Sequence, residues 1–372
     1  MRTLDKTDVE DLCMGATVLG TGGGGDPELG LFLLKRLLDM GKLLELASID
    51  EIPDDAVVVH PAMVGSIAPS QGKGRDLESL SRRVLSEDGP LVSSLRTMEQ
   101  VLGQRVYGTL PVEIGGYNTP VAAILSALAG IVFVDGDTIG RSKPELMMQT
   151  YTVLNIPITP MVLTDDRGNS VLVRKAADFR DAERIARAMA VIGGGTTAVR
   201  CPVDGKTLRT AAIPNGVSRA MTIGKGWREA QTSGTAADQA VIIASGGTEL
   251  FAGTVCRFDW EDRDGFLWGT IFIGGDGKFR DHELKVWLKN ENLVSWLDGA
   301  PYVVTPDLIC ILNRDTGMAV TNTNISQGLR VTVFAIPADP FWKTEKALDL
   351  VSPKHFDFDI PYVPMEQILR VW

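Results

Sequence analysis

Three observations predict an α/β chain that turns β-rich in its second half. Short apolar runs at 57–59, 104–110 and 131–134 are separated by helix-length stretches, the order that builds a parallel sheet through right-handed crossovers. From about residue 240, runs at 240–244, 248–258, 265–273, 282–288, 293–298, 302–304, 308–313 and 329–336 alternate with Gly, Pro and Asp-Gly turns, as in a β-barrel or sandwich. The 372 residues allow two or three domains and a sizeable core. The texture changes near 165, so residues 1–165 are read as one unit and 166–372 as a second.

The elements follow in order. Residues 7–16 read as a helix and 17–25 as a turn-rich loop. Asp26 caps the next helix, with Pro27 at its first position. Leu29, Phe32, Leu33, Leu37 and Leu38 have helical spacing, and Gly41 stops them. Residues 42–46 form a strand. The strand at 57–59 ends at His60-Pro61, and 62–75 is a Gly/Pro/Ser-rich loop placed to line a site. Helices follow at about 76–86 and 92–102. The strand at 104–110 leads into Glu113. Thr119 and Pro120 start an Ala/Leu/Ile-rich helix that Gly130 ends, and the strand at 131–134 leads into Asp135. Beyond the turn at Asp165-Asp-Arg-Gly-Asn169 come a strand at 171–173, a helix at 180–191 closed by Gly193-Gly-Gly195, and a helix near 217–231.

Bulk composition removes several function classes. The net charge is −10 with no Lys/Arg cluster, which disfavours nucleic-acid partners. No apolar run reaches the about 18 residues of a membrane span. The segment Met1-Arg-Thr-Leu-Asp-Lys-Thr-Asp-Val-Glu10 is too charged for a secretory signal, so a cytoplasmic protein with reduced cysteines is expected. Cys13, Cys201, Cys256 and Cys310 contain no C-x-x-C pair, which argues against structural zinc and thioredoxin-like chemistry.

The candidate chemistry sits in three short segments. Gly20-Thr-Gly-Gly-Gly-Gly25 matches G-x-G-x-x-G, with Glu45 downstream. The preceding residues read as helix and not strand, so a dinucleotide fingerprint is not supported and no nucleotide cofactor is expected. Gly22, Gly23, Gly24, Gly25 and Asp26 instead suit contact with an anion or oxyanion at a helix start, or a plain turn. Glu113-Ile-Gly-Gly-Tyr-Asn118 and Asp135-Gly-Asp137 put acids at the ends of two neighbouring strands, where open α/β sheets bind ligands. Gly115 and Gly116 permit close backbone approach; Asn118 orients a substrate or caps its helix. Glu113, Asp135 and Asp137 suit general-base work, or metal binding with His60. Arg141 pairs with an acid or forks onto a substrate carboxylate.

With these motifs in place the chain resembles the S-methyl thiohydantoin desulfurase domain family, long catalogued as a domain of unknown function. The resemblance rests on Leu19-Gly-Thr-Gly-Gly-Gly-Gly-Asp-Pro27, Glu113-Ile-Gly-Gly-Tyr-Asn118, and Asp135-Gly-Asp-Thr-Ile-Gly-Arg141 with Pro144-Glu145. It continues in Asn290-Glu-Asn-Leu-Val294, Pro306-Asp-Leu-Ile309 and Gly328-Leu-Arg-Val331. It implies an N-terminal three-layer α/β/α domain and a C-terminal part containing a β-barrel. It also implies desulfurisation of a small thiohydantoin-like or hydantoin-like ring. Some relatives accompany or are fused to hydantoinases, so association with a hydantoinase-like enzyme is one expectation; homo-oligomerisation is left open. The chain departs from the family pattern at Ser142-Lys143, where a small and then an aromatic residue is usual, and in the less Gly-rich Ser352-Pro-Lys-His-Phe-Asp-Phe-Asp359.

The expected reaction is water attack on the ring carbon with release of a thiol. Asp137 or Glu113 takes the proton, the Gly22–Gly25 amides hold negative charge, Arg141 orients the ring and Asp135 tunes Asp137. Two alternatives stand beside it. In one, zinc or manganese is held by Asp135, Asp137, Glu113 and His60. In the other, the chain is a non-catalytic small-molecule-binding subunit.

Overall fold

The computed structural model describes residues 1–65, 77–193 and 195–370. The expected loop 62–75 lies outside the described residues from 66 onward, and its first residues belong to a strand. In the first half the strands are β1 (Arg2–Thr3), β2 (Glu45–Ser48), β3 (Val57–Val64), β4 (Gly108–Thr109), β5 (Val132–Asp137), β6 (Met161–Asp165), β7 (Ser170–Val173), β8 (Thr196–Asp204) and β9 (Ile213–Pro214). Eight of them form a sheet in the order β1-β2-β5-β4-β3-β8-β6-β7, with β9 added against β5. The stretch β2-β5-β4-β3 is parallel, as the strand–helix–strand spacing predicts. The remaining pairs are antiparallel.

The helices that cover this sheet are α1 (Lys6–Leu19), α2 (Pro27–Asp39), α3 (Leu77–Val84), α4 (Pro90–Leu102), α5 (Asn118–Ala129), α6 (Thr150–Val153), α7 (Phe179–Gly193), α8 (Gly205–Ala211) and α9 (Gly216–Ser233). Alternation along the strands decides which cover which face. Leu46, Val57, Val59, Phe133, Val162 and Val199 pack with α1, α2, α4 and α5. Their neighbours Ala47, Val58, Val132, Val134, Met161, Leu163 and Ala198 pack with α7 and α8. The result is helix, sheet and helix in three layers. The sheet takes strands from both sides of the 165/166 division read from sequence.

The second half begins with α10 (Ala237–Ser245), followed by β10 (Thr248–Arg263), β11 (Phe266–Gly275), β12 (Glu283–Lys289), β13 (Glu291–Leu297), β14 (Ala300–Val304), β15 (Leu308–Asn313) and β16 (Arg330–Ile336), and ends in α11 (Glu345–Val351) and α12 (Met365–Ile368). The run 240–244, expected as a strand, is helical. Val241 and Ile242 are buried while Ile243 is 78% exposed, a one-sided pattern that a short apolar run does not reveal. The seven strands form an antiparallel sheet ordered β14-β13-β12-β11-β10-β16-β15. Where a β-barrel or sandwich is expected, it is a curled half-barrel: no ladder joins β14 to β15 among the described residues. Strand β15 is committed on both faces. Leu308, Cys310 and Leu312 pack in the core under α1, and Ile309 and Ile311 face the sheet's own core. The two halves are thereby joined along one edge, and the site lies at that junction.

Two further expectations change. His60 lies inside β3 and not at a strand end. Strand β8, absent from the sequence reading, occupies the middle of the sheet between β3 and β6. Among the described residues no helix is long and apolar enough to cross a membrane.

Candidate functional site

Three loops of the first half and the start of β13 meet at the junction. The glycine-rich loop follows α1 and precedes α2, whose first amides are capped by Asp26 (Glu28 N at 3.0 Å, Leu29 N at 3.3 Å). It presses against the loop before α5: Gly24 O accepts from Tyr117 N and Asn118 N at 2.8 and 3.2 Å. A Cβ on Gly24, which also has φ +76°, would stand 2.6 Å from Gly115 Cα, and one on Gly23 would stand 2.0 Å from Glu291 Oε1. No other residue allows these approaches. On its far side the loop is tied to the second half, through Asn292 N to Thr21 O and Asn322 N to Gly22 O, both at 2.8 Å.

These loops border a cavity of about 1460 Å³ whose lining includes Gly22, Gly24, Glu113, Asn118, Lys143, Arg200 and Glu291. The segment Ser142-Lys143 bridges its two inner carboxyl groups. Glu113 Oε2 accepts from Lys143 N at 3.0 Å, and Glu291 Oε1 accepts from Ser142 Oγ at 2.9 Å. Glu113 Oε1 accepts from Asn118 Nδ2 at 2.6 Å, and Asn118 Oδ1 is itself fixed by Met63 N at 3.0 Å. Gly24 N donates to Glu291 Oε1 at 3.2 Å, so the glycine loop spends an amide on the protein's own carboxyl. Glu291 Oε2 is buried without a hydrogen-bond partner among the described residues.

Burial, reinforced by the Glu113 charge, pushes Glu291 up to about 8, so it carries a proton at neutral pH. Burial and the neighbouring Arg200 draw Lys143 down to about 7. Among the described residues its Nζ reaches only Thr138 Oγ1 and Gln149 Oε1, each at 3.4 Å. Arg200 is fully buried, and none of its three guanidinium nitrogens has a partner among the described residues. At the rim, Glu145 receives Lys289 Nζ and His355 Nε2. Burial would raise it, yet those two donors hold it at about 2.

A β-bulge follows Arg200 in β8. The β3–β8 register passes from Val58↔Val203 to His60↔Arg200, so Cys201 and Pro202 together oppose Val59. Cys201 has φ +49°, the left-handed geometry of a bulge residue. Ala198 and Cys201 consequently face the same core cluster, although strict alternation would separate them.

The sequence-derived residues divide in two. Glu113, Asn118, Gly22, Gly24, Gly25 and Asp26 line the cavity; Gly23, Gly115 and Gly116 are absent from its lining, and Gly23 and Gly115 serve the close packing just described. Asp135 lies elsewhere, accepting from Ser218 N at 2.9 Å and from Ser218 Oγ at the start of α9. Asp137 Oδ1 accepts from Ile139 N and Gly140 N, and its Oδ2 faces Gly216. Arg141 spends its donors on Thr21 Oγ1 (2.8 Å) and on the carbonyls of Ser142 (2.9 Å), Asn292 (3.1 Å), Pro306 and Asp307 (both 3.3 Å). His60 is held between Tyr151 Oη and Cys201 O, both at 2.9 Å, and burial with the Arg200 charge brings it down to about 3. The metal set of Asp135, Asp137, Glu113 and His60 is not assembled: among the described residues no three His, Cys, Asp or Glu side chains group to hold a metal.

Sequence reasoning gave no role to Glu291, Lys143 or Arg200. Glu291 lay within a motif already singled out, and Lys143 at a departure from the family pattern. Arg200 offered one signal, a charge inside the apolar run of 196–203.

Two family models match the chain, the S-Me-THD-like N-terminal domain over residues 7–175 and the S-Me-THD-like C-terminal domain over residues 176–365. No curated protein matches. A crystal structure of a Chromobacterium violaceum protein is 21% identical, with a TM-score of 0.77, covering 98% of this chain and 100% of that one; at that identity the likeness shows the fold. The paired models span the three-layer sheet, the curled sheet and the cavity between them, and the chain belongs to the S-Me-THD-like family.

Proposed function

We propose that the chain is a hydrolase that replaces the sulfur substituent on the carbon of a thiohydantoin-like ring with oxygen, releasing a thiol. The family supports a thiohydantoin-related role. The observation that carries the chemistry is the carboxyl pair on the cavity wall, one residue from each half of the molecule. Glu291 is protonated below about pH 8, and Glu113 lies beside it across Ser142-Lys143. Paired carboxyl groups held in different protonation states supply an acid and a base together.

In this reading Glu113 takes a proton from water as its oxygen attacks the ring carbon. The tetrahedral intermediate collapses, its carbon–sulfur bond breaks, and Glu291 gives its proton to the departing sulfur. For an S-methyl substrate, Glu113 passes the water proton it took to the ring nitrogen, and the intermediate's hydroxyl proton restores Glu291 as the carbonyl forms, so water supplies both hydrogens, one on the ring nitrogen of the hydantoin and one on methanethiol. Asn118 fixes the base, and the Gly24 amide with Ser142 leaves Glu291 Oε2 to carry the transferred proton. No step is assigned to Asp135, Asp137 or Arg141: Asp135 and Arg141 are hydrogen-bonded elsewhere, and Asp137 uses Oδ1 on the Ile139 and Gly140 amides while its Oδ2, buried and unpartnered among the described residues, faces Gly216.

The test is thiol release from a panel of S-methyl thiohydantoins, thiohydantoins and hydantoins. Release with the wild type, and kcat lower by roughly 10²–10³-fold in Glu113→Gln and Glu291→Gln, is expected. Ring binding without thiol release in the wild type would favour the binding-subunit reading and overturn this one.

A further inference from the structure

We propose that Arg200 and Lys143 form a seat for a carboxylate carried by the ligand, so that the cavity takes an anionic side group as well as a ring. The ring half of this statement rests on the reading above; the anion half does not.

The argument starts from a cost. A buried guanidinium without a carboxylate or carbonyl partner is expensive, and proteins ordinarily satisfy every such donor. Arg200 Nε, Nη1 and Nη2 are all buried and all unpartnered among the described residues. Arg200 nevertheless borders the cavity. Lys143 is the second cation on the same wall. Its Nζ has only two long hydrogen bonds, to neutral oxygens, and no ion pair within 4 Å joins it or Arg200 to an acid among the described residues. The unused donors thus lie on two residues that both line the cavity.

The unused donors set the class of ligand: a guanidinium and an amine on one wall, neither with an acid within 4 Å among the described residues, suit an anion. A planar fork of donors favours a carboxylate, whose two oxygens match it.

The test uses calorimetry on the full chain with three probes: hydantoin-5-acetate, its neutral acetamide analogue, and sodium acetate. The acid should bind wild type about 100-fold more tightly than the amide, a difference expected for a charge-assisted fork in a dry site. Arg200→Met and Lys143→Met should erase most of that preference without weakening the amide, and Arg200→Lys should restore part of it. Equal binding of acid and amide by wild type would overturn the seat while leaving the ring reading intact. Acetate binding that disappears in Arg200→Met, with neither hydantoin bound, would support the seat and defeat the ring reading. An undiminished acid preference in both Met variants would also overturn the proposal. The melting temperature of each variant reports whether it is folded.

Discussion

Arg141 and Arg200 are both buried near the same junction and are opposites in what surrounds them. Arg141 reaches a hydroxyl and four backbone carbonyls, on the glycine loop, its own loop, β13 and the turn before β15. Arg200 reaches nothing among the described residues. The first is a staple between the two halves of the molecule; the second holds its donors in reserve for something that enters. Sequence alone marks Arg141 as the chemical residue, because it follows the acidic motif. The structure reverses the emphasis: a guanidinium already surrounded by carbonyls has no hydrogen bonds left to give a substrate.

The largest effect that sharpens this contrast is therefore on stability, at the residue first read as catalytic. Arg141→Met should cost at least about 3 kcal/mol, because it strands several buried acceptors at once. Urea unfolding at pH 7 measures it, and a stable variant with impaired ligand binding would break the comparison. Arg200→Met should move the other way by about 1–3 kcal/mol, since it removes a buried charge that nothing compensates. A marked loss of stability there would mean that Arg200 is a second staple. Ser142→Ala comes next, at about 1 kcal/mol for one buried hydrogen bond. It removes a donor to Glu291 Oε1, so it should also raise the upper pH limit of thiol release, read from the pH profile of kcat.

Local chemistry was legible and long-range chemistry was not. The Asp26-Pro27 start of α2, the Gly130 stop of α5 and the parallel pairing of β4 with β5 follow from residues near one another in the chain. Strand β8 was missed because Thr196-Thr-Ala-Val-Arg-Cys-Pro202 has an internal charge and a proline; it is held as a strand by β3 and β6, far away in sequence. The same distance hid the site. Glu113 was identified from its strand, but Glu291 lies 178 positions later and acquires its proton only from burial beside Glu113. Asp135 and Asp137 showed the converse: acids at strand ends look like a site, yet α9 takes up Asp135 and the following turn takes one oxygen of Asp137.

The smallest effect concerns Asp137, and its sign can be worked out. Burial, opposed by the Ile139 and Gly140 amides, lifts its carboxyl to about 7 from an ordinary value of 3.8. The folded state therefore binds this proton more tightly than the unfolded chain does. Its contribution is complete below about pH 4 and is lost as pH rises through 7. An asparagine at the same place keeps the Oδ1 acceptor and cannot ionise. Asp137→Asn should thus gain stability relative to wild type as the pH goes from 5 to 8, in paired urea melts, while thiol release stays within about threefold. A stability gap that does not change with pH would mean that the carboxyl is ionised throughout. A loss of turnover on the scale expected for Glu113→Gln would return Asp137 to the chemistry and dissolve the distinction between residues that hold this junction together and residues that face its cavity.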